Sequence, residues 1–418
     1  MKDDSGAGLR SGRAAFDRLG SDHLLVLALT LLIGGSVIAL VSQNTAARAG
    51  PAIVLSLLLA AVGTAPLLFC LREVMRRTPD AAGLPALLHG ICGQRLAAVL
   101  LALLLLDLLA TLAGAAQSGA RHLNAVACAL GVPPQRWLPI SMAAALGLLP
   151  VGLAAMLRPR RTLLVACVLL TVKVGLGLLL VVVAARYVHY GNWVPWMPSS
   201  TGPHRFGLGG VVAAAVPLLG VFASAGLLLG VAPRVQRPHR QLTQVAGGAV
   251  LAAMLLLMGL AALQSGLVQF AALDSTRPLS VAVQAVPQLQ WMLPLLPVAG
   301  WAGLMALQVV VLLLAVELLP ALWRRPGAAD HDNRDPGRAT LALGVATLAM
   351  LLVPWLPERA ILPPGLGVLP LLAVLCLGLL RPQGQVPWQR TVWIYLFAPL
   401  AAVLCLVPLA RHIQLWQG

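Results

Sequence analysis

The sequence predicts an all-α integral membrane protein that crosses the bilayer about eleven times. Three observations predict it. Of 418 residues, 59% are apolar and only 10% charged, whereas a soluble domain carries about 25% charged residues. So few charges cannot cover a water-facing surface. The apolar residues are gathered into runs of about 20, the length a helix needs to span hydrocarbon. Lys and Arg are also unequal on alternate sides of these runs: with the N-terminus inside, twenty fall inside and eight outside, the bias that orients membrane proteins.

Taken in order, the predicted spans are 24–43, 52–71, 97–116, 138–157, 162–185, 208–231, 245–268, 292–322, 339–355, 365–380 and 391–410. Residues 1–23 form a basic cytoplasmic segment. Ala47-Arg48-Ala49 resembles a leader cleavage site, but the run before it is long enough to span, so an uncleaved first helix is expected. Ile33-Gly34-Gly35-Ser36 interrupts that first span near its centre; glycines there weaken the helix and bare the backbone. The third span carries Asp107, the fifth Lys173 and the eighth Glu317. Ser224-Ala225-Gly226, with Pro217 upstream, sits in the sixth span where the glycines sit in the first. Interruptions five spans apart fit a five-plus-five inverted repeat, residues 24–185 and 208–381, followed by a C-terminal helix and tail, 382–418. Tryptophans such as Trp137, Trp193, Trp291 and Trp355 mark segment ends, where amphipathic rings sit at the interface. The aromatic outer loop 186–207 is expected to lie along the membrane surface, and 324–338 to form a flexible inner loop.

An ionisable side chain in hydrocarbon needs a reason. Lys173 lies roughly 15–20 Å of helix from either end of its span, beyond a lysine's reach to water. It must face the bundle interior, paired, solvated or held neutral. It is either a proton-handling group or a structural one bonded to helix-end carbonyls. Asp107 can pair with Lys173, line a solute path or make a polar contact between helices. Glu317 can snorkel inward or meet Arg324 and Arg325.

The net charge of +16 does not indicate nucleic acid, because the basic residues stand singly or in threes between apolar runs. The six cysteines, Cys70, Cys92, Cys128, Cys167, Cys376 and Cys405, show no metal or redox spacing and read as small apolar packing residues. No nucleotide, metallohydrolase or paired-carboxylate motif is present, so neither an enzyme nor a primary pump is expected, and no cofactor. Interrupted helices around a buried lysine fit a carrier of a small solute.

Three stretches carry a family resemblance. Ala49-Gly50-Pro51-Ala52-Ile53-Val54-Leu55-Ser56 looks like a conserved start of a second helix. Lys173 followed by Asn192-Trp193-Val194-Pro195-Trp196-Met197-Pro198 is similar to a fifth helix and its Asn-Trp-x-Pro-Phe-x-Pro loop. Arg237-Pro238-His239-Arg240 resembles an Asn-Pro-x-Arg segment after a sixth helix, and weaker similarity, including Val386-Pro387, runs to about residue 390. Together they resemble the amino acid–polyamine–organocation superfamily, closest to its cationic amino acid transporter branch. The resemblance implies a LeuT-type fold in a bacterial inner membrane and an amino acid or amine as substrate. It also implies substrate contacts at Gly34, Gly35, Ser36, Ser224, Ala225 and Gly226, with Lys173 standing where related carriers hold a sodium ion and coupling transport to protons. The chain departs from the family where Gly34-Gly35-Ser36-Val37-Ile38 replaces Gly-Ala-Gly-Ile-Phe. It departs again where Pro233-Arg234 replaces an acidic pair, and where Ala315-Val316-Glu317 replaces Gln-Pro-Arg. These departures leave a second reading open, a non-transporting homologue that acts as a partner or sensor subunit.

Overall fold

The computed structural model describes residues 18–78, 83–129, 131, 139–235, 237–275, 277–322, 337–355, 365–381 and 388–417. The N-terminal segment to residue 17, Trp137, Arg324, Arg325, the loop 324–336 and Val386-Pro387 lie outside the described residues.

Helices dominate, and a helix stands at each predicted span. The first span is two helices, α1 (Ser21–Ile33) and α2 (Val37–Asn44). A five-residue π-helix and a turn at Gly50 (φ 58°) lead to α3 (Ile53–Arg77). Then come α4 (Leu84–Cys92), α5 (Gln94–Ala129), α6 (Ile140–Met156) and α7 (Pro159–Ala184). The second half holds α8 (Gly207–Ala223), α9 (Pro238–Leu267), α10 (Pro278–Gln284), α11 (Leu295–Leu318), α12 (Arg338–Leu352), α13 (Val368–Gly378) and α14 (Trp388–Gln417). Among the described residues seven helical runs are long and apolar enough to cross a membrane, and four shorter apolar helices, α1, α6, α12 and α13, stand with them. The short helices α4 and α10 were not foreseen, because they lie in stretches read as loops.

Local chemistry sets the boundaries. Pro159, Pro238 and Pro278 open their helices at N1, where the missing N–H costs nothing. Gly93, with φ 81°, ends α4, a conformation only glycine adopts freely. Pro66, Pro150 and Pro217 sit inside helices, as neighbouring elements in a membrane bundle allow.

The core gathers around α11, which packs on α5 and α7, while α1 packs on α7, α9 and α11. The outer loop is pinned to the bundle as well as exposed. His189 N and Asn192 Nδ2 donate to Gly266 O at 2.9 and 2.8 Å, and Trp193 Nε1 donates to Ala262 O at 3.1 Å. Gly266 O is one of the carbonyls that the end of α9 leaves free, and Ala262 O, one turn earlier, takes the indole N–H as a further donor. Pro198 lies against Gly50, where any Cβ would come within 2.8 Å of its ring. Two of the three motifs that carried the resemblance therefore meet in space.

Candidate functional site

The first interruption is real. Gly34, Gly35 and Ser36 leave the helix between α1 and α2, with Gly34 N still bonded to Thr30 O at 2.8 Å. Ser36 O still accepts from Leu40 N at 3.1 Å, while the carbonyls of Gly34 and Gly35 are taken by Lys173. Its Nζ donates to Gly34 O and to Gly35 O, each at 2.9 Å, from a buried position on α7. A neutral amine has two N–H groups and one lone pair; an ammonium has three N–H groups. Two carbonyls engage two hydrogens, so one position on Nζ lies beyond these two bonds.

The seat for this amine is made by α11. A Cβ at Gly303 would stand 2.7 Å from Lys173 Nζ and 2.8 Å from Gly34 O, and a Cβ at Gly34 would stand 3.2 Å from Gly303 O. Only glycines allow the bared backbone and α11 to meet this closely. Leu307 packs one turn further on, against Gly34 and Gly35. Sequence reasoning missed Gly303; the available signal was Gly300-x-x-Gly303 on one face of the eighth span. The end of α2 facing the break starts at Val37, and its N-cap Ser36 makes no side-chain cap bond. Its first N–H groups are therefore free for an anionic group.

The sixth span behaves differently. At Ser224 the helix does not unwind but tightens into a 3-10 helix, Ser224–Arg234. Ser224 Oγ donates to Val221 O at 2.6 Å, and a Cβ at Gly226 would meet Leu372 of α13 at 2.7 Å. Ser224, Ala225 and Gly226 are all buried. The hydroxyl is used locally and the glycine serves a close approach between helices. The first half-helix α1 packs against this 3-10 stretch, and Leu19 N donates to Arg234 O at 2.9 Å.

Two acidic residues take up partners the sequence did not pair. Asp107 does not reach Lys173. Its Oδ2 accepts from Gly367 N at 2.8 Å and Val368 N at 3.3 Å, capping the start of α13 and satisfying orphan donors there. Among the described residues Glu317 is held by Arg234 and Arg338; Arg324 and Arg325 lie outside them. Arg234 Nε donates to Oε2 at 3.0 Å and Nη2 to Oε1 at 3.0 Å, while Arg338 Nη1 donates to Oε1 at 2.6 Å. Two departures from the family pattern thus face each other with exchanged sign: a cation where the family has acid, and an acid where it has a cation. Among the described residues no group of three or more His, Cys, Asp or Glu is placed to hold a metal ion.

No family model matches the chain. The chain is 26% identical over 369 residues to the vacuolar cationic amino acid transporter 2 of Arabidopsis thaliana, covering 84% of this chain and 57% of that protein. It is 22% identical to the methylthioribose transporter of Bacillus subtilis (65% of this chain, 59% of that protein) and 23% identical to the branched-chain amino acid permease BcaP of the same organism (92% of each). The chain thus spans less than two thirds of the length of the first two relatives. Among solved structures, it superposes on a mutant of the Eremococcus coleocola manganese transporter with TM-score 0.60 at 14% identity, over 95% of this chain and 87% of that one. On MhsT in complex with L-phenylalanine the TM-score is 0.59 at 12% identity, over 93% and 98%. The fold is the LeuT type, and the resemblance to amino acid–polyamine–organocation permeases agrees with the curated relatives.

Proposed function

We propose, on the premise of a LeuT-type scaffold with amino acid permeases among its relatives, that this chain is a proton-coupled secondary transporter of amino acids or related amines. It works by alternating access in a bacterial inner membrane, with its N-terminus in the cytoplasm. The repeats are residues 24–185 and 208–381. The observation that carries the reading is the pair of bonds from Lys173 to the carbonyls of Gly34 and Gly35. A protonated Lys173 binds both carbonyls as a resident cation and steadies the open backbone. Loss of its third hydrogen weakens that hold and lets α1 and α2 shift relative to α7. The substrate carboxylate lies at the N-terminus of α2, beside Gly34, Gly35 and Ser36. Ser224, Ala225 and Gly226 line the facing side.

Uptake of a labelled amino acid panel into proteoliposomes, with and without an inward proton gradient, tests this. Gradient-driven uptake of at least one amino acid or amine is expected. In Lys173→Ala the stimulation by the gradient is lost; unchanged proton-driven uptake in that variant removes the lysine from the mechanism. One observation favours a second reading. The sixth span keeps its backbone bonded as a 3-10 helix, which suits a partner or sensor subunit that binds without moving its ligand. Tight solute binding with no flux, and co-purification with another membrane protein, distinguish it.

A further inference from the structure

One titratable side chain near Lys173 has no part in the reading above. His122 lies on α5, beyond the predicted end of the third span, and is half-buried. Its ring fills a notch on α11: a Cβ at Gly300 would overlap the imidazole at Cδ2 and Nε2. Lys173 fills the next notch on the same face, at Gly303. Positions three apart on a helix share a face, so the two notches bring the imidazole and the amine side by side along α11.

The hydrogen bonds fix which nitrogen is available. His122 Nδ1 is 2.9 Å from Ser118 O. A carbonyl only accepts, so Nδ1 carries hydrogen and donates to it. In the neutral ring Nε2 is then the bare nitrogen, and it is the one turned to the Gly300 notch. Lys173 presents the complementary vacancy, since its two carbonyl bonds leave one position on Nζ open. The charged groups facing His122 are Lys173 from α7, Arg277 from the turn before α10, and Arg121 beside it on α5.

We propose that His122 relays protons between the aqueous phase at the outer end of the bundle and Lys173. Water gives a proton to Nε2. The imidazolium passes it through one bridging water to the lone pair of Nζ, so an Nε2–H bond breaks and an Nζ–H bond forms. Nδ1–H stays on Ser118 O throughout and keeps the ring aimed. This rests on the proton-coupled reading of Lys173.

The test uses purified full-length protein in proteoliposomes with labelled L-arginine and L-leucine as probes, and compares gradient-driven uptake across external pH with equilibrium exchange at no gradient. In His122→Gln and His122→Ala, gradient-driven uptake is expected to fall at least about tenfold, the loss of a proton-transfer group, while exchange stays close to wild type. Imidazole added outside should restore His122→Ala and not Lys173→Ala. Gly300→Ala, which keeps the histidine but fills its notch, should reproduce the defect. If the wild type is gradient-driven and both His122 variants keep its pH profile, the relay is overturned and the coupling role of Lys173 stands. If uptake and exchange fall together and imidazole restores neither, His122 is structural and the relay is overturned. If the wild type moves neither probe nor any other member of the amino acid panel with a gradient, the parent reading falls and takes the relay with it.

Discussion

At Gly303 one added methyl would press on both the amine of Lys173 and the carbonyl of Gly34. Gly303→Ala is therefore expected to unseat the lysine and abolish gradient-driven uptake in proteoliposomes. Gly175→Ala, on α7 where a Cβ meets nothing within 4 Å, should leave uptake intact. Asp107 belongs to a different part of the molecule. Removing its cap on α13 in Asp107→Ala should cost about 0.5–2 kcal/mol, read as a lower melting temperature in detergent with the response to a proton gradient kept. The contrast shows what a sequence can and cannot say about single residues. A charge in an apolar run is visible, so Lys173, Asp107 and Glu317 all stood out. The partners of Lys173 and Asp107 were not visible, because Gly34 precedes Lys173 by 139 residues and Gly367 follows Asp107 by 260, and those partners are backbone atoms; Glu317 meets arginines, but on distant elements.

Among the elements, the helices were legible because each needs its own apolar run. The break in the first span was legible because two adjacent glycines have no other use in a helix centre than close packing or unwinding. The change to 3-10 geometry at Ser224 was not. Ser224-Ala225-Gly226 looks like a break by composition, yet the chain stays helical there, with Gly226 packed under Leu372. Glu317 joins the ends of three elements: the 3-10 stretch through Arg234, α11 itself, and α12 through Arg338. Its carboxylate is mostly covered, with 15% of the side chain exposed, against 27% for Arg234. The coupling of Glu317 to Arg234 in a double-mutant cycle should lie between the ~1 kcal/mol ceiling of exposed pairs and the ~3–5 kcal/mol lost when a buried pair is broken. Thermal unfolding of the two single alanine variants and the double variant measures it. A value near zero would show the contact to be incidental.

For the whole molecule, the packing sets no orientation, and the charge bias of the sequence predicts one. On that expectation the C-terminal end of α5 lies outside. Cys128 is the exposed cysteine there, whereas Cys70, Cys376 and Cys405 are buried. A membrane-impermeant maleimide added to intact cells should label Cys128 and leave a Cys128→Ser variant unlabelled. Labelling only after the membrane is opened would reverse the topology.

A cation that belongs to the chain changes what the surrounding solution can do. Lys173 is tethered next to its two carbonyls, so its local concentration is set by the length of one side chain and not by dilution. A carrier that borrows a dissolved ion must recapture it on every turnover and slows as that ion grows scarce. On the proposed reading the positive group never departs, only its hydrogen is exchanged with the outside world, and acidity replaces salt as the variable the molecule senses.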